Sequence, residues 1–206
     1  MLPLDIPADT TIESLVTEVI PTLHARLVPD EAPSDALDVA VHVDGCGSWT
    51  MRIRGRTMTV EEGTDARPTL WVYATDRSAE RFLEDAAGPR RLTPRFGSVG
   101  GVATMSDPRV IKRVAMASGR VELATTDENG DRMAVVFGFG AAARRDIDPE
   151  EADVVIETQL ATIDRVLRGE LAPEDALSDG GVTVRGNRLL AMQLALAVAP
   201  FYPAKR

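Results

Sequence analysis

Several residue types are scarce in this chain, and each shortage removes a class of function. A single cysteine, Cys46, leaves no internal disulfide, and its place between two glycines in a turn-forming run reads as a surface thiol. His42 stands four residues before it, but strand-and-turn spacing gives no reason for those two side chains to meet. With two histidines and one cysteine, no cluster at metal-ligand spacing can be written. No window approaches the roughly eighteen apolar residues of a membrane span. The opening MLPLDIPADTTIESL lacks the basic start and continuous apolar run of a signal peptide. These absences lead us to expect a cytoplasmic protein with no stable membrane insertion. Positive charge is also short, with 23 Lys and Arg against 32 Asp and Glu and a formal net charge of −9. That balance repels phosphate backbones and argues against a nucleic-acid partner.

Motifs of catalysis are missing in the same way. The acids Asp146, Asp148, Glu150, Glu151 and Asp153 lack the central glycine and terminal glutamate of a calcium loop and read as a solvated segment. Gly97 to Gly101 is glycine-rich, but no lysine follows and a strand comes next, so phosphate cradling is poorly supported. No serine sits in a hydrolase elbow, and no triad can be argued from two histidines. Arg90, Arg91 and Arg95 form a basic cluster able to hold a carboxylate or phosphate, although an exposed loop balancing nearby acids is the simpler reading. We assign no catalytic residue, metal or cofactor.

What the chain does have is a core and a repeat. Over 206 residues it is 44% apolar and 27% charged, the balance of a folded domain. PTLWVYATDRSAERFLED, beginning at Pro68, returns as ADVVIETQLATIDRVLRG, beginning at Ala152. In both, an apolar triplet (Leu70 to Val72, Val154 to Ile156) turns a polar corner into helical periodicity, which predicts a strand feeding a helix. The offset from Leu70 to Val154, 84 residues, also carries Leu37–Ala40 onto Val121–Ala124 and Trp49–Ile53 onto Met133–Phe137. Between them Asp44 to Gly47 falls on Glu128 to Asp131, a turn in each copy.

In chain order, Asp9 to Thr11 supply caps for a helix whose stripe is Ile12, Leu15, Val16, Val19, Ile20, Leu23 and Leu27. Pro21 should kink or divide that helix near Ile20. His24 reads as a packed boundary histidine. A hairpin, a third strand at Arg56 to Glu61, a fourth at Thr69 to Ala74 and a helix from Asp76 to Asp85 follow. Val102 to Met105 reads as a fifth strand, and Ser106-Asp107-Pro108 starts a helix faced by Val110, Ile111, Val114 and Ala115. The second copy repeats hairpin, strand and helix, with a weak third strand at Gly140 to Asp148, a fifth strand at Gly181 to Val184, and a last helix from Asn187 to Val198 that is apolar nearly all round.

The order of hairpin, third strand, ADVVIET-type fourth strand, helix, GELAPEDAL segment, GGVTVRGN strand and closing apolar helix resembles the sterol carrier protein 2 domain. The likeness is best over Ala152 to Val198 and weaker in the first copy. It implies an α+β fold of two repeated units, residues 1–117 and 118–206, each a mainly antiparallel five-stranded sheet with helices packed on one face. It further implies an apolar pocket between sheet and helices that binds or carries a lipid, sterol-like molecule or acyl chain without catalysis. Phe82, Val110, Val114, Val166, Leu189, Met192 and Leu196 are the expected lining. Two other readings stand beside it: an enzyme that folds or cyclises a hydrophobic intermediate in that pocket, and a scaffold with a filled core. A second chain could also cover the last helix, so a homodimer is among the expected partners.

Overall fold

In the computed structural model, which describes residues 7, 9–27, 36–64, 67–87, 113, 116–143, 151–167 and 170–198, the first helix begins where its caps predict. Thr11 Oγ1 accepts from the Ser14 amide at 3.1 Å and Ser14 Oγ accepts from the Thr11 amide at 2.9 Å, a reciprocal cap over α1 (Ile12–Ser14). The helix then widens into a π turn over Leu15–Val19, closed by the Ile20 amide on the Leu15 carbonyl, and resumes as α2 (Ile20–Leu27). Pro21 explains the widening: its nitrogen cannot donate and its ring would press on the carbonyl four residues back. The division falls at Ile20, as expected.

The strands are β1 (Ala36–Val43), β2 (Gly47–Arg54), β3 (Thr57–Glu62), β4 (Leu70–Ala74), β5 (Gly119–Thr126), β6 (Arg132–Phe139), β7 (Val154–Gln159) and β8 (Val182–Gly186). Between or after them stand α3 (Asp76–Ala87), a 3-10 turn at Gly140–Ala142, α4 (Leu160–Leu167), α5 (Pro173–Ser178) and α6 (Arg188–Val198). The expected pair of five-stranded units does not stand as two sheets. All eight described strands form one sheet in the order β3-β2-β1-β4-β6-β5-β7-β8. Its centre is the antiparallel β4–β6 pair, Leu70 opposite Phe139 through Ala74 opposite Val135. β4 thereby satisfies the outer edge of β6, and β6 is followed by a 3-10 turn at Gly140–Ala142, at the start of the stretch expected as a weak third strand. The expected fifth strand at 102–105 and the helix start at 106–108 lie outside the described residues.

Each side of that junction holds a hairpin and then a strand parallel to the hairpin's first strand: β4 beside β1, β7 beside β5. The 84-residue offset holds within the hairpins, since Val39 opposite Met51 becomes Leu123 opposite Val135. It fails by two residues between hairpin and parallel strand: Val39 faces Leu70, but Val121, not Leu123, faces Val154. A slip of two keeps every side chain on its face, so the alternation survives.

Alternation puts the core on one face of the sheet. Leu37, Val39, Val43, Trp49, Met51 and Ile53 meet Ile12 and Val16 of the first helix and Ala79 of α3. Val121, Phe139 and Val154 meet Leu190 of α6, and Leu70 packs against both groups, so the core is continuous across the junction. The opposite face carries ion pairs, among them Arg54–Asp38 at 3.0 Å, Arg185–Glu157 at 2.8 Å and Arg132–Glu122, around a small cluster of Ala40, Trp71, Val136 and Ala143. His24 is buried, with Nε2 2.8 Å from the Gly55 carbonyl.

Two glycines fix how α6 approaches. At Gly186 φ is +96° and a Cβ would collide with the Asp153 carbonyl; at Gly119 a Cβ would collide with Leu190. Asn187 then caps α6, its Oδ1 accepting from the amides of Leu189 at 3.1 Å and Leu190 at 3.2 Å.

Candidate functional site

The closing helix divides its apolar side chains between two surfaces. Leu190, 2% exposed, turns into the core with Ala191 and Leu194 beside it. Leu189, Met192 and Leu196 lie within an arc of about 60° on the other side of a 3.6-residue helix, and are 60%, 55% and 59% exposed. Met116, 83% exposed, adds to the outward apolar surface. One helical turn before it, Arg113 reaches α6, donating from Nη1 to the Leu196 carbonyl at 3.1 Å. Three of the expected lining residues therefore form an outward stripe. Val110 and Val114 lie outside the described residues, as do the side chains of Phe82 and Val166.

A second feature is polar and lies where α3 meets the β5–β6 turn. Arg77, Glu80, Arg81, Asp131, Arg132 and Met133 line a cleft of about 210 Å³. Arg77 pairs with Asp131 at 3.0 Å and Arg81 with Asp127 at 2.8 Å, while Ser78 Oγ accepts from the Ala134 amide at 3.2 Å. Burial opposes ionisation of Asp127, but the amides of Asp131 and Asn129 and the Arg81 guanidinium outweigh it and hold the carboxyl below its ordinary range. These bonds lock a helix of the first half onto a turn of the second. Their partners are internal carboxylates, so the cleft is not an open anion site.

A third feature has no local signature in the sequence. At the turn end of the first hairpin, His42 and Ser48 face each other across β1 and β2, and Asp44, two residues beyond His42, shares their face. His42 Nδ1 lies 2.6 Å from Ser48 Oγ and Nε2 lies 3.2 Å from Asp44 Oδ1. Tyr73 of β4 donates to Asp44 Oδ2 and stacks on the imidazole at 5.7 Å between ring centres, with Trp71 stacked on Tyr73 at 5.6 Å. The alternation that identifies the hairpin contains this juxtaposition; what sequence cannot supply is the register that sets His42 opposite Ser48. Cys46 is exposed in the intervening turn, and burial together with Asp76 and Glu80 raises its thiol pKa, as an unreactive surface thiol requires.

Among the described residues, no group of three His, Cys, Asp or Glu is placed to hold a metal, and no helix is long and apolar enough to cross a membrane. Arg90, Arg91 and Arg95 lie outside them, as do Gly97 to Gly101 and Asp146, Asp148 and Glu150.

No family model matches the sequence, and no curated protein matches it. Solved structures do. A conserved hypothetical protein of Thermus thermophilus, described as a candidate sterol carrier protein, is 30% identical, with 48% of this chain and 75% of its own covered at a TM-score of 0.35. The similarity is to sterol carrier proteins. Sterol Carrier Protein 2 Like 2 of Aedes aegypti is 21% identical, covering 43% of this chain and 88% of its own, with a TM-score of 0.29. The sterol carrier protein domain 2 of Helicoverpa armigera is 17% identical, covering 54% and 91%, with a TM-score of 0.38. Each sterol carrier structure thus corresponds to about half of this chain. At these TM-scores the likeness assigns neither a ligand nor a site.

Proposed function

We propose that the chain binds or carries a hydrophobic small molecule, of the lipid, sterol or acyl-chain class, against the outer face of α6. The observation that carries this reading is the stripe of Leu189, Met192 and Leu196, three large apolar side chains on one side of α6 and each more than half exposed. Leaving such a side chain in water forgoes roughly 1.5–3 kcal/mol relative to full burial, a cost that a bound apolar molecule would offset. The charge of −9 fits a neutral or apolar ligand. The sequence resemblance of Ala152 to Val198 to the sterol carrier protein 2 domain points the same way.

The same reading takes the chain as two tandem copies, 1–117 and 118–206, fused through β4 and β6. The repeated order of hairpin, parallel strand and helix, with the 84-residue offset kept in the pairing of the two hairpins, supports it. Among the described strands, fusion by an antiparallel pair leaves only β3 and β8 as edges of the sheet, and both are short.

Native mass spectrometry of the purified protein, followed by titration with a fluorescent fatty acid and a fluorescent sterol, tests the binding reading. Co-purified lipid, or saturable uptake that weakens in Met192→Ala and Leu196→Ala, supports it. A dimer that buries the stripe and takes up neither probe replaces it with self-association.

A further inference from the structure

With the imidazole neutral, the hydrogen bonds around His42 specify one tautomer. Asp44 accepts from Tyr73 at Oδ2 and, as a carboxylate, can only accept at Oδ1, so the neighbouring His42 Nε2 carries the proton. The neutral ring then presents a lone pair at Nδ1, 2.6 Å from Ser48 Oγ, and the hydroxyl proton points into it. A nucleophile, a base within hydrogen-bond reach and a third group orienting the base are the three parts that activate a serine. The ring is reversed relative to the common serine-protease arrangement, with Nδ1 toward the serine, which leaves the chemistry of the relay unchanged. Simple cross-strand pairing would explain the contact between His42 and Ser48. Pairing likewise sets Tyr73 beside the imidazole, but it does not call for a carboxylate on the far nitrogen and a tyrosine hydroxyl fixing that carboxylate. The His42 and Asp44 side chains are 33% and 46% exposed, so a small substrate can reach them.

We infer that Ser48 is an activated nucleophile that attacks carboxylic esters, with His42 as its base and Asp44 as the residue that positions His42. The Ser48 Oγ–acyl carbon bond forms as the hydroxyl proton passes to His42 Nδ1. The ester C–O bond then breaks, and the departing alkoxide leaves as the alcohol with that proton. Water attacks the acyl-serine, giving its proton to Nδ1; the acyl–Oγ bond breaks, and the proton returns to Oγ as the acid departs. General-base assistance alone contributes about 10²–10⁴-fold, and that is the acceleration expected.

Treatment with diisopropyl fluorophosphate, read by intact mass and peptide mapping, tests the nucleophile without a known substrate. One adduct on Ser48 is expected, formed at least ten times faster than in a folded His42→Ala protein, together with p-nitrophenyl acetate hydrolysis that Ser48→Ala abolishes. Asp44→Asn should slow both reactions and Asp44→Glu should restore them in part. Folding of each variant is checked by circular dichroism, and the mapping on the unaltered protein stands whatever the variants do. No adduct, an adduct on another residue, or equal labelling with and without His42 overturns the proposal.

Discussion

Over β1–β4 the core face of the sheet is lined by Leu37, Val39, Val43, Trp49, Met51 and Ile53 and closed by two helical segments that contribute Ile12, Val16 and Ala79. Over β5–β8 the corresponding face is lined by Val121, Phe139 and Val154 and closed chiefly by Leu190, with Ala117 at its border. The first half thus carries the larger described core, whereas the second half ends in an edge strand, β8, that is exposed along nearly its whole length and in a helix with two apolar faces. The two halves share a plan but divide the labour: the first is positioned to supply stability, and the second to leave apolar surface available.

The largest effect that would break this comparison lies in the first core. Trp49 is 4% exposed and packs among its buried residues, so Trp49→Ala should cost about 3–5 kcal/mol, read as a fall in the chemical-denaturation midpoint. Gly186→Ala should also destabilise strongly, because its Cβ meets the Asp153 backbone carbonyl and its positive φ disfavours any other residue. If instead Gly186→Ala is tolerated while Trp49→Ala unfolds the protein, the docking of α6 contributes little to the whole. Equal and full loss in both would show that the halves unfold as one unit, as a sheet fused through β4 and β6 implies.

These features are legible in the sequence to different depths. Strands, helices and their order follow from periodicity, and the divided first helix from Pro21, because each depends on residues close in sequence. Fusion into one sheet does not follow, since nothing in the local pattern of Leu70 to Ala74 names β6 as its partner in place of a strand of its own unit. The site shows the same limit. That the apolar side chains of α6 cannot share one groove is readable from their spacing, whereas which of them turn outward depends on the contact of Leu190 with Gly119. Separation along the chain gives His42 no partner, because pairing across a hairpin with Ser48 is settled by register.

The junction between halves offers a pH-dependent test. Asp127 ties the β5–β6 turn to α3 through Arg81, and its folded pKa is depressed below the ordinary 3.8. A depressed carboxyl contributes stability that is present above the unfolded pKa and is lost as pH falls through the folded one. Melting temperatures measured from pH 7 to about pH 2.5, below the ordinary carboxyl range, should therefore show Asp127→Asn less stable than the unaltered protein at neutral pH, with the two curves converging at the acid end. A gap that stays constant across this range would mean that Asp127 contributes packing or turn geometry and not charge.

The smallest stability effect sharpens the comparison most. Leu190 and Met192 stand two residues apart on α6, the first 2% exposed in the core and the second 55% exposed on the outer stripe. Leu190→Ala removes packed atoms and leaves a cavity, which typically costs about 2–5 kcal/mol. Met192→Ala removes atoms that already face water, and exposed positions usually change stability by no more than roughly 0.5 kcal/mol. Uptake of a fluorescent fatty acid should respond in the opposite order, with Met192→Ala weakening it while the fold is intact. Leu190→Ala, assayed well below its melting temperature, should retain uptake in proportion to the folded fraction. If Met192→Ala destabilises as much as Leu190→Ala, the outer stripe is part of the core in solution, covered by a second copy or by chain outside the described residues, and the helix has no free face with which to hold a ligand.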